Sequence, residues 1–275
     1  MDISLRPRKL GARAALPVRI AAAMLPGASR LPWVPGHGDT LPDLDLEREV
    51  TVDRDHLAQY AHVCGFTLRD ALPPTYPHVL AFPLHMQLMA DGRFPFAPAG
   101  IVHIANRIVQ HRPLSLTEHL SLRVTADGPE PHRSGQTFTL VTEARVGDEL
   151  AWEGFSTMLK RGARHEDAPR DPEFEAPPVT AHWRVPGDLG RRYAAVSGDR
   201  NPIHLHPLTA KAFGFPRAIA HGMWTKARCL AALRLPDALT ADVRFKKPIL
   251  LPSTVTFGEA DDRFAVHGHL EGTLG

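Results

Sequence analysis

Residues 193–223 read YAAVSGDRNPIHLHPLTAKAFGFPRAIAHGM, the densest group of polar residues in an otherwise apolar neighbourhood. Pro202 disfavours a helical residue before it, so Gly198 to Pro202 is expected to form a loop. Ser197, Asp199 and Asn201 carry the short polar side chains that cross-brace loops. Asp199 and His204 stand five apart across that loop, close enough to hold one water molecule between a carboxylate and an imidazole. Such a pair can take a proton from water and deliver one elsewhere, with burial tuning both groups. Taken alone, Ser197 to Asn201 is equally the composition of an ordinary turn. His204, Leu205 and His206 have no Cys or helically spaced Glu beside them to complete a metal site, so no metal is expected. His221 precedes Gly222 at the expected start of a helix and reads as a packing residue. Gly222, in the first turn, leaves its backbone N–H open, and the helix dipole adds to it, so a developing oxyanion can sit there.

Working outward, the same order of landmarks occurs earlier in the chain. Tyr60, Cys64 and Gly65 match Tyr193, Ser197 and Gly198, while His111-Arg112-Pro113-Leu114 matches Lys246-Lys247-Pro248-Ile249. The two offsets are nearly equal, which predicts a duplicated domain, each copy holding helices and several antiparallel strands. In the first copy LDLEREVTV, 44–52, alternates as a half-buried strand, and Asp53 is placed to cap the next helix. His78 to Ala90 is apolar nearly all round and predicts a buried helix despite Pro83. Strands are expected over 101–109, 116–125, 137–146 and 150–159. The charged, Pro-rich stretch 163–180 has the composition of a linker. With the register carried straight across, Phe66 and Ala71 fall where the second copy has Asp199 and His204. Expected units are a basic arm over 1–40, a degenerate half over 41–162, the linker, and a catalytic half over 181–275.

The 275 residues suffice for such a pair of domains without staples. Composition, 43% hydrophobic and 23% charged, excludes a disordered or collagen-like chain. Two cysteines, Cys64 and Cys229, cannot form a disulfide framework and suit a reducing, cytoplasmic setting. A net charge of +2 gives no field for nucleic acid. The arm, with Arg6, Arg8, Lys9, Arg13, Arg19 and Arg30 around Ile20 to Leu25, reads as a short helix packed on the body. A targeting peptide is the disfavoured alternative, because no apolar run reaches the length of a signal core or a membrane span.

The segment from Tyr193 to Met223 closely resembles the hydratase 2 motif of the MaoC-like dehydratases, the (R)-specific enoyl-CoA hydratases. The matching residues are Tyr193, Ser197-Gly198-Asp199, Asn201-Pro202-Ile203-His204, Ala210, Gly214-Phe215 and Ile219-Ala220-His221-Gly222-Met223. The resemblance implies an α+β double hotdog, two antiparallel sheets each wrapping a central helix. It implies Asp199 and His204 as the catalytic pair, Asn201 as loop support and Gly222 as oxyanion donor. The implied reaction adds water across a trans-2-enoyl thioester to give the (R)-3-hydroxyacyl thioester, without a cofactor. The substrate would ride on coenzyme A or an acyl carrier protein, in a monomeric pseudo-dimer or a homodimer of double hotdogs. The degenerate half would open an acyl tunnel, with Phe82, Leu84, Met86, Leu88 and Met89 as its apolar wall. Arg244, Lys246 and Lys247 are candidates for the coenzyme A phosphates. A hotdog thioesterase, or a non-catalytic acyl-binding partner subunit, is the competing reading.

Overall fold

The computed structural model describes residues 40–97 and 100–275, so the expected basic arm, except for Thr40, lies outside the described residues. The first half runs β1 (Leu46–Thr51), α1 (Arg54–Cys64), α2 (Tyr76–Met89), β2 (Ile101–Gln110), β3 (His119–His132), β4 (Gly135–Val146) and β5 (Glu149–Arg161). The second runs β6 (Val179–Val185), α3 (Leu189–Ser197), α4 (Pro202–Leu205), α5 (Pro207–Ala212), α6 (Gly222–Leu230), β7 (Leu239–Phe245), β8 (Ser253–Ala260), β9 (Arg263–Val266) and β10 (Leu270–Leu274). Asp53 caps α1 as expected, its carboxylate accepting from the N–H groups of Asp55 and His56. Residues with no polar face make α2: ten of its fourteen residues are buried, and Pro83 is tolerated because tertiary burial outweighs one lost hydrogen bond.

The strands form one sheet in the order β1-β3-β4-β5-β2-β7-β10-β9-β8-β6. Read from either end the order of each half is the same, so the halves are related by a local two-fold at the β2–β7 seam. There Arg107 stands opposite Asp242, 135 residues further on, the offset that also separates His111 from Lys246. The expected pair of sheets is thus a single ten-stranded one, because pairing β2 with β7 removes two exposed edges at once. The core is contiguous across the seam. Trp224 of α6 donates to the Val63 carbonyl of α1 at 3.0 Å, tying one half's helix to the other's.

The simple register fails at one place. Ala71 bridges Ser115, and Ile219 bridges Leu250. Ser115 and Leu250 keep the 135-residue offset, so Ala71 corresponds to Ile219 and not to His204. The second half carries thirteen extra residues between its first helix and its sheet-covering helix, and α4 and α5 lie within them. The first half lacks that segment altogether.

The linker also differs from expectation. β6 begins at Val179, inside the expected 163–180, and the preceding residues lie along the outer face of the sheet, with Asp171 paired to Lys246 at 3.0 Å and Glu175 to Arg263 at 3.1 Å. Phe174 closes one side of a cavity of about 550 Å³ on that face.

Candidate active site

The loop after α3 is built from its own side chains. Gly198 leaves the helix at φ 76°, a left-handed conformation that favours glycine. The Asp199 N–H donates to Ser197 Oγ at 3.2 Å, the Asn201 N–H to Asp199 Oδ1 at 3.1 Å, and the Ile203 N–H to Asn201 Oδ1 at 3.3 Å. Asn201 is therefore the N-cap of α4, with Pro202 in the first turn. The residues that build the turn are thus the same ones that the motif singles out. Gly190, on α3, brings the backbone of α4 close: a Cβ there would stand 1.8 Å from the His204 carbonyl oxygen.

His204 Nδ1 lies 2.8 Å from the Ile219 carbonyl oxygen. A carbonyl only accepts, so Nδ1 carries the proton and Nε2 keeps its lone pair. His221, the N-cap residue of α6, stacks on His204 with centroids 3.7 Å apart and donates from Nε2 to the Asp199 carbonyl at 3.0 Å. The nearest Asp199 carboxylate oxygen is 3.8 Å from that nitrogen. Asp199, His204 and His221 offer side-chain atoms all within 4.8 Å of one another. His204 and His221 are buried, whereas the Asp199 side chain keeps 28% exposure and so forms the side of the cluster open to solvent.

Burial pushes His204 below its ordinary value against the pull of Asp199, and pushes His221 down to about 3 with help from His204. Burial alone would raise the Asp199 carboxyl. His221, His204, the Asn201 N–H and His103 outweigh it and hold the group below the usual carboxylate range. At neutral pH the site therefore holds a carboxylate beside a neutral imidazole. Gly222 opens α6, and no side chain caps that end. A Cβ on Gly222 would stand 3.1 Å from the Phe245 ring, so glycine lets this helix end pack closely on β7.

Asp199, Asn201, His204 and Gly222 thus come together as expected from the motif. His221 joins them, although it reads as packing in the sequence; its position directly before Gly222, at the N-cap of α6, is the available signal. With it, a third ligand-type side chain stands beside Asp199 and His204, which local spacing did not reveal.

Residues 170–262, which include the entire loop, both histidines and Gly222, match the family model described as MaoC like domain. The chain is 40% identical over 243 residues to the 3-hydroxyacyl-thioester dehydratase X of Mycobacterium tuberculosis, covering 86% of this chain and 85% of that one. The chain belongs to the MaoC-like dehydratase family. The crystal structure of HtdX from the same organism superposes with a TM-score of 0.74 at 38% identity, over 84% of this chain and 99% of that one. A second Mycobacterium tuberculosis protein, described as a double hotdog fold, gives 0.51 at 16% identity, over 88% and 96% of the two chains, and bears on the fold alone. The α+β double-hotdog architecture is that of the family.

Two expectations need correction in this dehydratase. Phe245 faces Gly222, so Arg244, its neighbour along β7, faces the other side of the sheet. There it lines the outer cavity beside Phe174 and pairs with Glu271 at 3.3 Å. Lys246 bonds Asp171 and lies 3.7 Å from Glu271. Internal carboxylates thus meet the charges meant for coenzyme A, on the face away from Asp199; Lys247 is exposed. The helix α2 is likewise not wholly apolar. Leu84, Met86, Leu88 and Met89 sit in the core, and among the proposed wall residues Phe82 lies beside Gly198. The same helix buries His78 and His85.

Proposed function

We propose that this chain adds water across trans-2-enoyl thioesters to give (R)-3-hydroxyacyl thioesters, and catalyses the reverse dehydration. The convergence of Asp199 and the His204 Nε2 lone pair at the open first turn of α6 carries this reading. The dehydratase X relative, 40% identical along most of its length, supports the substrate class. The substrate is an acyl thioester on coenzyme A or an acyl carrier protein, and the reaction needs no cofactor. No helix among the described residues is long and apolar enough to cross a membrane.

In the forward direction water lies between Asp199 and His204. One O–H bond breaks as the pair takes the proton, the water oxygen bonds Cβ, and the π electrons move to Cα with negative charge gathering on the thioester oxygen. The Gly222 N–H meets that charge, aided by the α6 dipole. The pair then returns one proton to Cα, so water is consumed and the pair is regenerated. Asn201 holds the loop, and His221 holds Asp199 through its carbonyl. Residues 41–162 form the half without an acid–base pair, and 181–275 the catalytic half.

Asp199→Asn and His204→Ala should each lower kcat by roughly 10²-fold or more in chains that remain folded. The assay follows loss of the enoyl absorbance and, in parallel, release of free thiol. Near-wild-type hydration in either folded variant removes the assignment. Thiol release without hydration would make the chain a thioesterase.

A further inference from the structure

The half without an acid–base pair sends one polar side chain toward the site. On β2, Ala105 and Arg107 line the outer cavity, and strict alternation would turn His103 outward with them. The β2–β5 register slips between His103 and Ala105: His103 faces Met158 while Ala105 faces the adjacent Thr157, leaving Ile104 as the extra residue. A bulge of one residue flips the side chains beyond it to the other face. His103 consequently points inward, its ring 5.1 Å from Phe245 and edge-on to it, and 6.2 Å from His78. Phe245 is the ring that packs on Gly222, so the imidazole lies one aromatic ring away from the oxyanion N–H.

Its Nε2 is buried and has no hydrogen-bond partner among the described residues. A buried polar atom left without a partner is destabilising unless something else satisfies it. The Ala105 backbone favours a proton on the ring, and a neutral imidazole keeps one nitrogen as an acceptor, which we take to be the unpartnered Nε2. Burial first, then the Lys226 ammonium, hold the ring neutral, at about 4. The Lys226 ammonium is itself satisfied by Asn106 Oδ1 at 2.6 Å, the Asn106 carbonyl at 3.0 Å and the Ala241 carbonyl at 2.8 Å.

We propose that His103 is a substrate-positioning residue: its Nε2 accepts a hydrogen bond from an N–H or O–H of the bound acyl thioester. This rests on the hydratase reading. Two donors of that chemistry exist on such substrates, an amide N–H of the carrier arm and the 3-hydroxyl of the hydrated form. The bulge in β2 is then the device by which the silent half takes part in substrate binding.

The test uses the full chain with Asp199→Asn to stop turnover, and calorimetric titration with butyryl-CoA and (R)-3-hydroxybutyryl-CoA. His103→Phe keeps a ring against Phe245 and His78 but removes the acceptor, and should bind about 10-fold more weakly. His103→Gln places an amide oxygen near the Nε2 position and should recover binding to within a few-fold. Weakening on both ligands assigns the amide, and weakening on the hydroxylated ligand alone assigns the hydroxyl. In the otherwise wild-type chain, His103→Phe should raise KM about 10-fold with kcat within about 3-fold. Should His103→Phe melt early, His103→Met takes its place. Unchanged binding in the folded variant, or equal loss with Gln and Phe, overturns the proposal. A wild-type chain that binds these ligands but hydrates none overturns the hydratase reading and leaves His103 standing.

Discussion

Gly190→Ala separates positioning of His204 from stability of the fold. The added methyl would stand 1.8 Å from the His204 carbonyl oxygen and 2.8 Å from its carbon. Ordinary non-bonded contact is about 3.5 Å, so α3 and α4 must part by more than ~1 Å. Both neighbours are backbone, and no flexible side chain can yield. Overpacking of this kind destabilises by about 1–3 kcal/mol, and replacing a helical glycine by alanine returns up to about 1 kcal/mol, so the net loss is on the order of 1 kcal/mol. The chemistry has no such compensation. His204 is bonded to Ile219 at 2.8 Å and stacked on His221 at 3.7 Å, and a shift of α4 breaks both. A misplacement of about 1 Å typically reduces turnover ~100-fold. The expected result is therefore a chain that melts a few degrees lower and has kcat/KM for enoyl thioester hydration reduced about 100-fold. Gly162→Ala, where a Cβ meets nothing within 4 Å, is the control and should leave both quantities alone. If Gly190→Ala keeps wild-type kcat/KM, the α3–α4 approach does not position His204.

Acid should unfold this protein early. Buried His221 and His85 are each pushed down to about 3 and His103 to about 4, with His78 and His204 also lowered, all by burial first. The unfolded chain, with histidines near 6.5, binds more protons below that pH, so stability is present above 6.5 and lost as the pH falls toward the folded values. At pH 5, His221 and His85 each account for on the order of 2 kcal/mol. The low Asp199 value acts in the same direction at still lower pH. A melting temperature equal at pH 7 and pH 5 would contradict this. For metal, exhaustive chelation should leave kcat unchanged, because in the proposed mechanism Asp199 and His204 act directly on water; the carbonyl bonds of His204 Nδ1 and His221 Nε2 leave the second nitrogen of each ring free to ligate, so the measurement decides. Stoichiometric zinc whose removal abolishes activity, and whose return restores it, would show the three-residue cluster to be a metal centre.

The acid–base loop was legible because its letters are local. Ser197, Asp199 and Asn201 bond within the loop, so type and spacing alone carry the geometry. The strands of the first half were legible from alternation and the caps from Asp53. What escaped depends on packing between distant segments. Gly190 looks like any helical glycine until α4 lies on it. His221 needs the stacked ring of His204 to show its purpose. Arg244 looked free because Glu271 and Asp171, which meet it and Lys246, lie far along the chain. His103 was hidden by a bulge, since a single inserted residue reverses which face a side chain takes and leaves hardly any mark in composition.

The seam shows what the first half supplies to the second. Lys226, on α6, is fully buried, and two of its three oxygen acceptors belong to Asn106 of the other half. Asn106 and its third acceptor, Ala241, are partners under the local two-fold, so one lysine occupies the seam that two equivalent positions share. Without the first half, the Lys226 amine would lose two of its three acceptors, on a group whose pKa burial already holds well below the ordinary lysine value. Strand β7 would become an open edge, and Trp224 would lose the Val63 carbonyl. The first half, relieved of the thirteen residues that carry α4, is thus bound to the second by seam energetics, and its inward residues are free to serve the substrate. Phe82 beside Gly198 and His103 beside Phe245 are two of the places where it approaches the Asp199 loop and the strand that packs on Gly222.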